Sequence, residues 1–189
     1  MNIYTLWLEN DWVVKLMIIA TFTVFIIVFE KIYQFISTFK TLKKMQNITS
    51  FNEIHMLPSS ELTTILQDIN SFEGEREALF NAHVGVKLDM FESYLMRYVS
   101  ILGLIAILSP MLGLIGTFLG VWHVFEGVSQ VSLSDPAIIA KGIKEVLIDT
   151  MAGLIVAVIA MIFYKSFEIL GQKMVMSFEE SLYKLLKKS

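Results

Sequence analysis

The chain has 189 residues, 55% of them hydrophobic, with a mean hydropathy of +0.64, which is above the range of an ordinary soluble domain and reads as a membrane protein. Its 15 basic and 18 acidic residues leave a net charge of -3, so nothing points to nucleic-acid binding. There is no cysteine, which excludes disulfides, thiolate metal sites and a catalytic thiol.

Residues 1–11 contain Glu9 and Asp11 but no Lys or Arg. A cleaved signal peptide would start with positive charge and end at a small-residue site, so a retained anchor is expected. The first apolar run covers 12–29, broken only by Lys15. At 1.5 Å rise per residue, about 20 residues cross roughly 30 Å of hydrocarbon, and a first membrane helix is predicted over 12–36. Residues 37–97 form a polar, mostly helical region. Segments 61–66 and 75–96 carry apolar residues at helical spacing (Leu79, Val86, Met90, Tyr94), and 47–60 is a loop marked by Pro58 and serines. The helix over 75–96 is expected to run on into the next span.

The second span, 98–125, has no acidic or basic side chain apart from His123 and contains Pro110, Gly113, Gly116 and Gly120. Pro110 removes a backbone donor and is expected to kink it. Residues 126–137 form a short polar loop ending in Asp135-Pro136, a helix-start signal. The third span, 138–164, carries Lys141, Lys144, Glu145 and Asp149, and the tail 165–189 is an amphipathic helix (Phe167, Leu170, Met174, Phe178, Leu182, Leu185). The predicted fold class is all-α, with three transmembrane helices whose long helices extend into the cytoplasm. Lys and Arg cluster in 31–97 and 165–188 and are absent from 1–11 and 126–137. Cytoplasmic segments carry the positive excess, so the N-terminus and the 126–137 loop are expected outside and the C-terminus inside.

Ser109, Gly113, Gly116 and Gly120 form one small face on the second span; Thr150, Gly153, Ala157 and Ala160 form another on the third. Small faces let helix backbones approach closely in lipid. They either pack the two spans together or admit partner helices around a shared pore. Lys141, Glu145 and Asp149 are spaced by four and share a face. Lys141 and Glu145 are a possible charge pair near the outer end. Asp149 lies one turn deeper with no second cation on its face, where a carboxylate becomes a candidate proton acceptor. Thr117 and Thr150 either line an ion path or hydrogen-bond backbone carbonyls. The histidines His55, His83 and His123 have no metal-ligand spacing, and no phosphate-binding Gly-rich loop precedes a helix. No metal, cofactor or enzymatic activity is expected.

The stretch SPMLGLIGTFLGVWH at 109–123 resembles the second-helix signature of the ExbB/TolQ/MotA proton-channel family. GIKEVLIDTMAGL at 142–154 is similar to its third-helix signature, in which a glutamate precedes a threonine by five positions. The resemblance implies a ring, usually a pentamer, in the bacterial inner membrane, with a periplasmic N-terminus and a cytoplasmic C-terminus. It implies two helices of an ExbD-, TolR- or MotB-like single-span partner in the pore, that partner's membrane aspartate carrying protons. Thr117 and Thr150 match the family's pore threonines, and Glu145 its glutamate. The work would go to a TonB- or TolA-like protein, energising outer-membrane transport or Tol–Pal envelope maintenance. Lys141, Lys144 and Asp149 depart from the pattern, making the pore entrance more charged. The length fits an ExbB- or TolQ-like subunit better than a flagellar stator, and His123 leans towards TolQ. The alternative is a structural scaffold whose charges only pair and anchor helices.

Overall fold

The computed structural model describes residues 12–46, 57, 60–71, 77–130 and 136–186, with side chains omitted at 70, 77, 78, 127–130, 136–139, 141, 145 and 186. All regular structure among the described residues is helical: α1 Trp12–Met45, α2 Glu61–Ser71, α3 Glu77–Met96, α4 Val99–Gln130 and α5 Pro136–Leu186. Segments of α1, α4 and α5 (Trp12–Met45, Val99–Glu126 and Gly142–Leu185) are long and apolar enough to cross a membrane. Within their apolar windows only 28%, 33% and 22% is buried. Most of that surface, including Phe22, Phe25, Leu114, Phe118, Leu147 and Val158, therefore faces outward. In water such a surface would be untenable; in lipid, or against other chains, it is what a spanning helix presents.

The chain divides into two compact units. The first takes residues up to Val28 together with Ser100–Tyr164; the second takes Phe29–Val99 and Lys165–Ser189. The first is an apolar bundle of the early part of α1 with α4 and the first part of α5. The second contains the rest of α1, then α2, α3 and the end of α5. Its core is Phe35, Leu42, Met45, Leu66, Ile69, Phe91, Leu95, Phe178 and Leu182, all at most 5% exposed. Phe35 meets Phe167 at 5.4 Å between ring centroids, and Phe91 meets Phe178 at 5.0 Å, both tilted. The apolar positions of the tail are therefore spent on packing. Leu185, Leu182, Phe178, Met174 and Phe167 are buried, while Leu170 is exposed.

Helix α2 starts where Ser60 caps it: the Ser60 carbonyl accepts from Thr63 N and Thr64 N at 3.0 and 3.1 Å. It is clasped to α3 by Asp68, whose Oδ2 lies 2.6 Å from Lys87 Nζ and 3.0 Å from His83 Nε2. The hydrogen bond from Lys87 is the main reason the Asp68 carboxyl sits below its ordinary value; the bond from His83 and both positive charges add to it, against a smaller desolvation penalty.

Helices α3 and α4 are not continuous. They break at Arg97–Tyr98, where Tyr98 adopts a left-handed φ of 66°. For a non-glycine residue that conformation costs roughly 1–2 kcal/mol. Two contacts offset it: Arg97 lies 5.0 Å over the Tyr98 ring, and α1 takes up carbonyls that the break releases. Lys31 Nζ donates to Leu95 O at 3.1 Å, and Gln34 Nε2 donates to Tyr94 O at 3.2 Å. A buried ammonium at the C-terminus of α3 also complements the helix dipole.

The connection between α4 and α5 is shorter than the expected 126–137 loop, because α4 runs to Gln130 and α5 starts at Pro136. Proline has no N–H to lose at a first helical position. Residues 131–135, the N-terminal 1–11 and most of the expected 47–60 loop lie outside the described residues. Pro110 sits inside α4 without ending it.

Candidate ion-path site

The small faces of α4 and α5 are turned towards each other in an antiparallel hairpin. A methyl group built on Gly153 would stand 2.6 Å from Ser109 O, 3.2 Å from Gly113 Cα and 3.4 Å from Gly113 N. One built on Gly113 would stand 3.2 Å from Thr150 Cα and 3.4 Å from Asp149 O. The helices thus touch backbone to backbone, which only glycine permits at this point. Ser109 and Ala157 are buried on the same faces.

Further along, valines replace the backbone contact. Val146 of α5 sits over Gly120 of α4, and Val124 of α4 sits over Gly142 of α5. Each helix supplies a knob to the other's hole. Towards the other end, the Tyr164 ring lies over Gly103 at 3.2 Å. Gly103 and Ala106 extend the α4 stripe by steps of three, and Gly142 extends that of α5. This wider register can be read from the sequence once the stripe is started six residues before Ser109.

Three helices converge at Gly116. The space a side chain there would fill is bounded by Val13 Cγ1 of α1 at 3.3 Å, and by Asp149 Cβ and Oδ2 of α5 at 3.5 and 3.7 Å. Asp149 is therefore held in a notch of α4 rather than turned to lipid. It is half-buried and is not without a partner, unlike the isolated carboxylate expected from its helix face alone. One residue on, Thr150 has a buried Oγ1 with no hydrogen-bond partner among the described residues. Thr117 differs: its Oγ1 donates to Leu114 O at 2.7 Å, within its own helix. The structure thus brings Asp149, Thr150, Gly113, Gly116 and Gly153 together. It leaves Thr117 engaged locally beside them. Lys141 and Glu145 lie on α5, but their side chains, and so the expected pair, fall outside the described residues. Among the described residues no group of three His, Asp or Glu could hold a metal ion.

An apolar hairpin with a carboxylate in a glycine notch and a buried, unsatisfied hydroxyl beside it is a polar seam inside a membrane span. Such groups mark ion paths or partner contacts. Residues 55–180, two thirds of the chain with all of α4 and most of α5, match the family model described as MotA/TolQ/ExbB proton channel family. The chain belongs to the MotA/TolQ/ExbB proton channel family. It is a multi-pass membrane protein of that family, with the all-α fold and three spanning helices described above. Among similar family members is the biopolymer transport protein ExbB of Salmonella typhimurium, 32% identical over 116 residues, covering 61% of this chain and 43% of that protein. The biopolymer transport protein ExbB of Pseudomonas putida is 34% identical over 67 residues, covering 35% of this chain and 20% of that protein. The matched region therefore spans less than half the length of these relatives.

Proposed function

We propose that this chain is a subunit of a proton-driven motor in the bacterial inner membrane, of the ExbB–ExbD or TolQ–TolR type. Several copies, five by the family pattern, would surround the membrane helices of a single-span partner that carries an aspartate. The second unit, with its basic residues, would lie in the cytoplasm. The observation that carries the reading is Thr150: its hydroxyl is buried next to Asp149 with no partner among the described residues, an arrangement that costs about 1–3 kcal/mol. In a ring, Thr150 and Asp149 would offer a proton or its carrier a polar stop, with Thr117 and Glu145 further along the path. The driving force available is about 2.3 kcal/mol per charge per 100 mV. The output would be work on a TonB- or TolA-like protein for outer-membrane transport or envelope maintenance.

The test is complementation of a strain lacking the subunit, with Thr150→Val and Glu145→Gln. We expect energy-dependent uptake or envelope integrity to fall by about tenfold or more while the complex still assembles. Survival of function in both variants, with assembly intact, would sink the ion-path reading. The scaffold alternative also has an observation in its favour, since the glycine faces are consumed in packing α4 on α5. It predicts that the same variants lose assembly and function together.

A further inference from the structure

The second unit contains a pocket of about 350 Å³ that the motor reading does not use. Its walls include Glu30, Lys31, Glu61, Tyr94, Arg97 and Tyr98. Glu30 directly follows the first apolar run, and Arg97 and Tyr98 directly precede α4. In sequence these residues therefore flank two spanning segments, where tyrosines and basic side chains commonly meet lipid headgroups.

The charges in it are unusual in being balanced yet unpaired. Two carboxylates and two cations line one cavity, and among the described residues none of the four is in a salt bridge within 4.0 Å. Lys31 is only 1% exposed. Its ammonium donates to Gln34 Oε1 at 2.6 Å and Leu95 O at 3.1 Å, which leaves one of three N–H groups without an acceptor among the described residues. A simple anion would be drawn to Lys31 and Arg97 but repelled by Glu30 and Glu61. A simple cation would meet the reverse. A ligand carrying both charges a short distance apart satisfies both pairs.

We infer that this pocket binds the headgroup of a zwitterionic aminophospholipid, of the phosphoethanolamine class. Its phosphate faces Lys31 and Arg97, and its primary ammonium donates to Glu30 and Glu61. The glycerol and acyl chains stay in the surrounding lipid. A quaternary amine has no N–H to donate to the carboxylates and would depend on the tyrosine faces alone. Occupancy would brace the α3–α4 break, because Arg97 and Tyr98 belong to both.

The full chain, purified in detergent and delipidated, would be titrated with short-chain phosphatidylethanolamine, phosphatidylcholine, phosphatidylglycerol and free phosphoethanolamine, with binding read by native mass spectrometry. We expect phosphatidylethanolamine to bind about tenfold tighter than the other three, a difference of about 1.4 kcal/mol. Glu61→Gln and Arg97→Gln, both at exposed positions, should each remove the preference with helix content unchanged by circular dichroism. Equal binding of the three lipids, an unaltered preference in both variants, or free phosphoethanolamine binding as tightly as the lipid would overturn the proposal. Because the readout is lipid binding, its failure leaves the motor reading untouched.

Discussion

Thr150 and Thr117 are the same residue type on neighbouring helices, yet their surroundings separate them. Thr117 closes a 2.7 Å bond to its own helix; the Thr150 hydroxyl is buried with no partner among the described residues. Thr150→Val keeps the shape and removes the unsatisfied oxygen. It should therefore stabilise the purified protein by about 1–2 kcal/mol, read as a raised unfolding midpoint in detergent, while transport falls. Thr117→Val should leave the midpoint within about 0.5 kcal/mol. The glycines divide in the same way. Gly153→Ala drives a methyl to 2.6 Å from the Ser109 carbonyl, and backbone cannot step aside. It should cost about 1–3 kcal/mol. Gly116→Ala meets nothing closer than a Val13 methyl at 3.3 Å and should be much milder. A sequence marks all of these as small or hydroxylated. It cannot rank them, because the ranking is set by the facing helix.

At the level of elements, the long apolar helices were legible because hydrophobicity and length settle them. The break between α3 and α4 was not. No glycine or proline marks it, and the turn falls on a tyrosine. Its cause is tertiary: Lys31 and Gln34 on α1, 64 and 60 positions away in the chain, hold the freed carbonyls. The α2–α3 clasp was equally hidden, since Asp68 and Lys87 stand on separate helices. It makes a prediction about pH. The Lys87 hydrogen bond holds the folded Asp68 carboxyl below the ordinary aspartate value. Its contribution to stability is therefore complete above the ordinary aspartate range and is lost as pH falls through the lower, folded value. The difference in unfolding midpoint between the native chain and Asp68→Asn should be constant above about pH 5 and shrink towards zero in stronger acid. A difference that grew on acidification would show that the clasp does not contribute in this way.

For the whole molecule, the charge asymmetry along the chain leads us to expect the basic regions 31–97 and 165–188 in the cytoplasm and Glu126 outside. The chain has no cysteine, so single-cysteine variants need no prior substitution. With Glu126→Cys, a membrane-impermeant thiol reagent should label intact spheroplasts; with Met176→Cys it should label only after lysis. The reverse pattern would invert the topology. The spans and their order could be read from composition. The meeting of α1, α4 and α5 at Gly116 could not, because the sequence does not say which helix lies over which glycine.

The reciprocal valine-on-glycine contacts of α4 and α5 have a mechanical consequence. Sliding one helix along the other by a single residue would drive Val146 and Val124 out of their glycine seats and against larger side chains. The next equivalent seating lies about one turn, or 5.4 Å, away. With backbone contact at Gly113 and Gly153 as well, the two helices can travel only as one stiff lever. Contacts that α4 and α5 make with any other helix must therefore form and break on the outer faces of the pair.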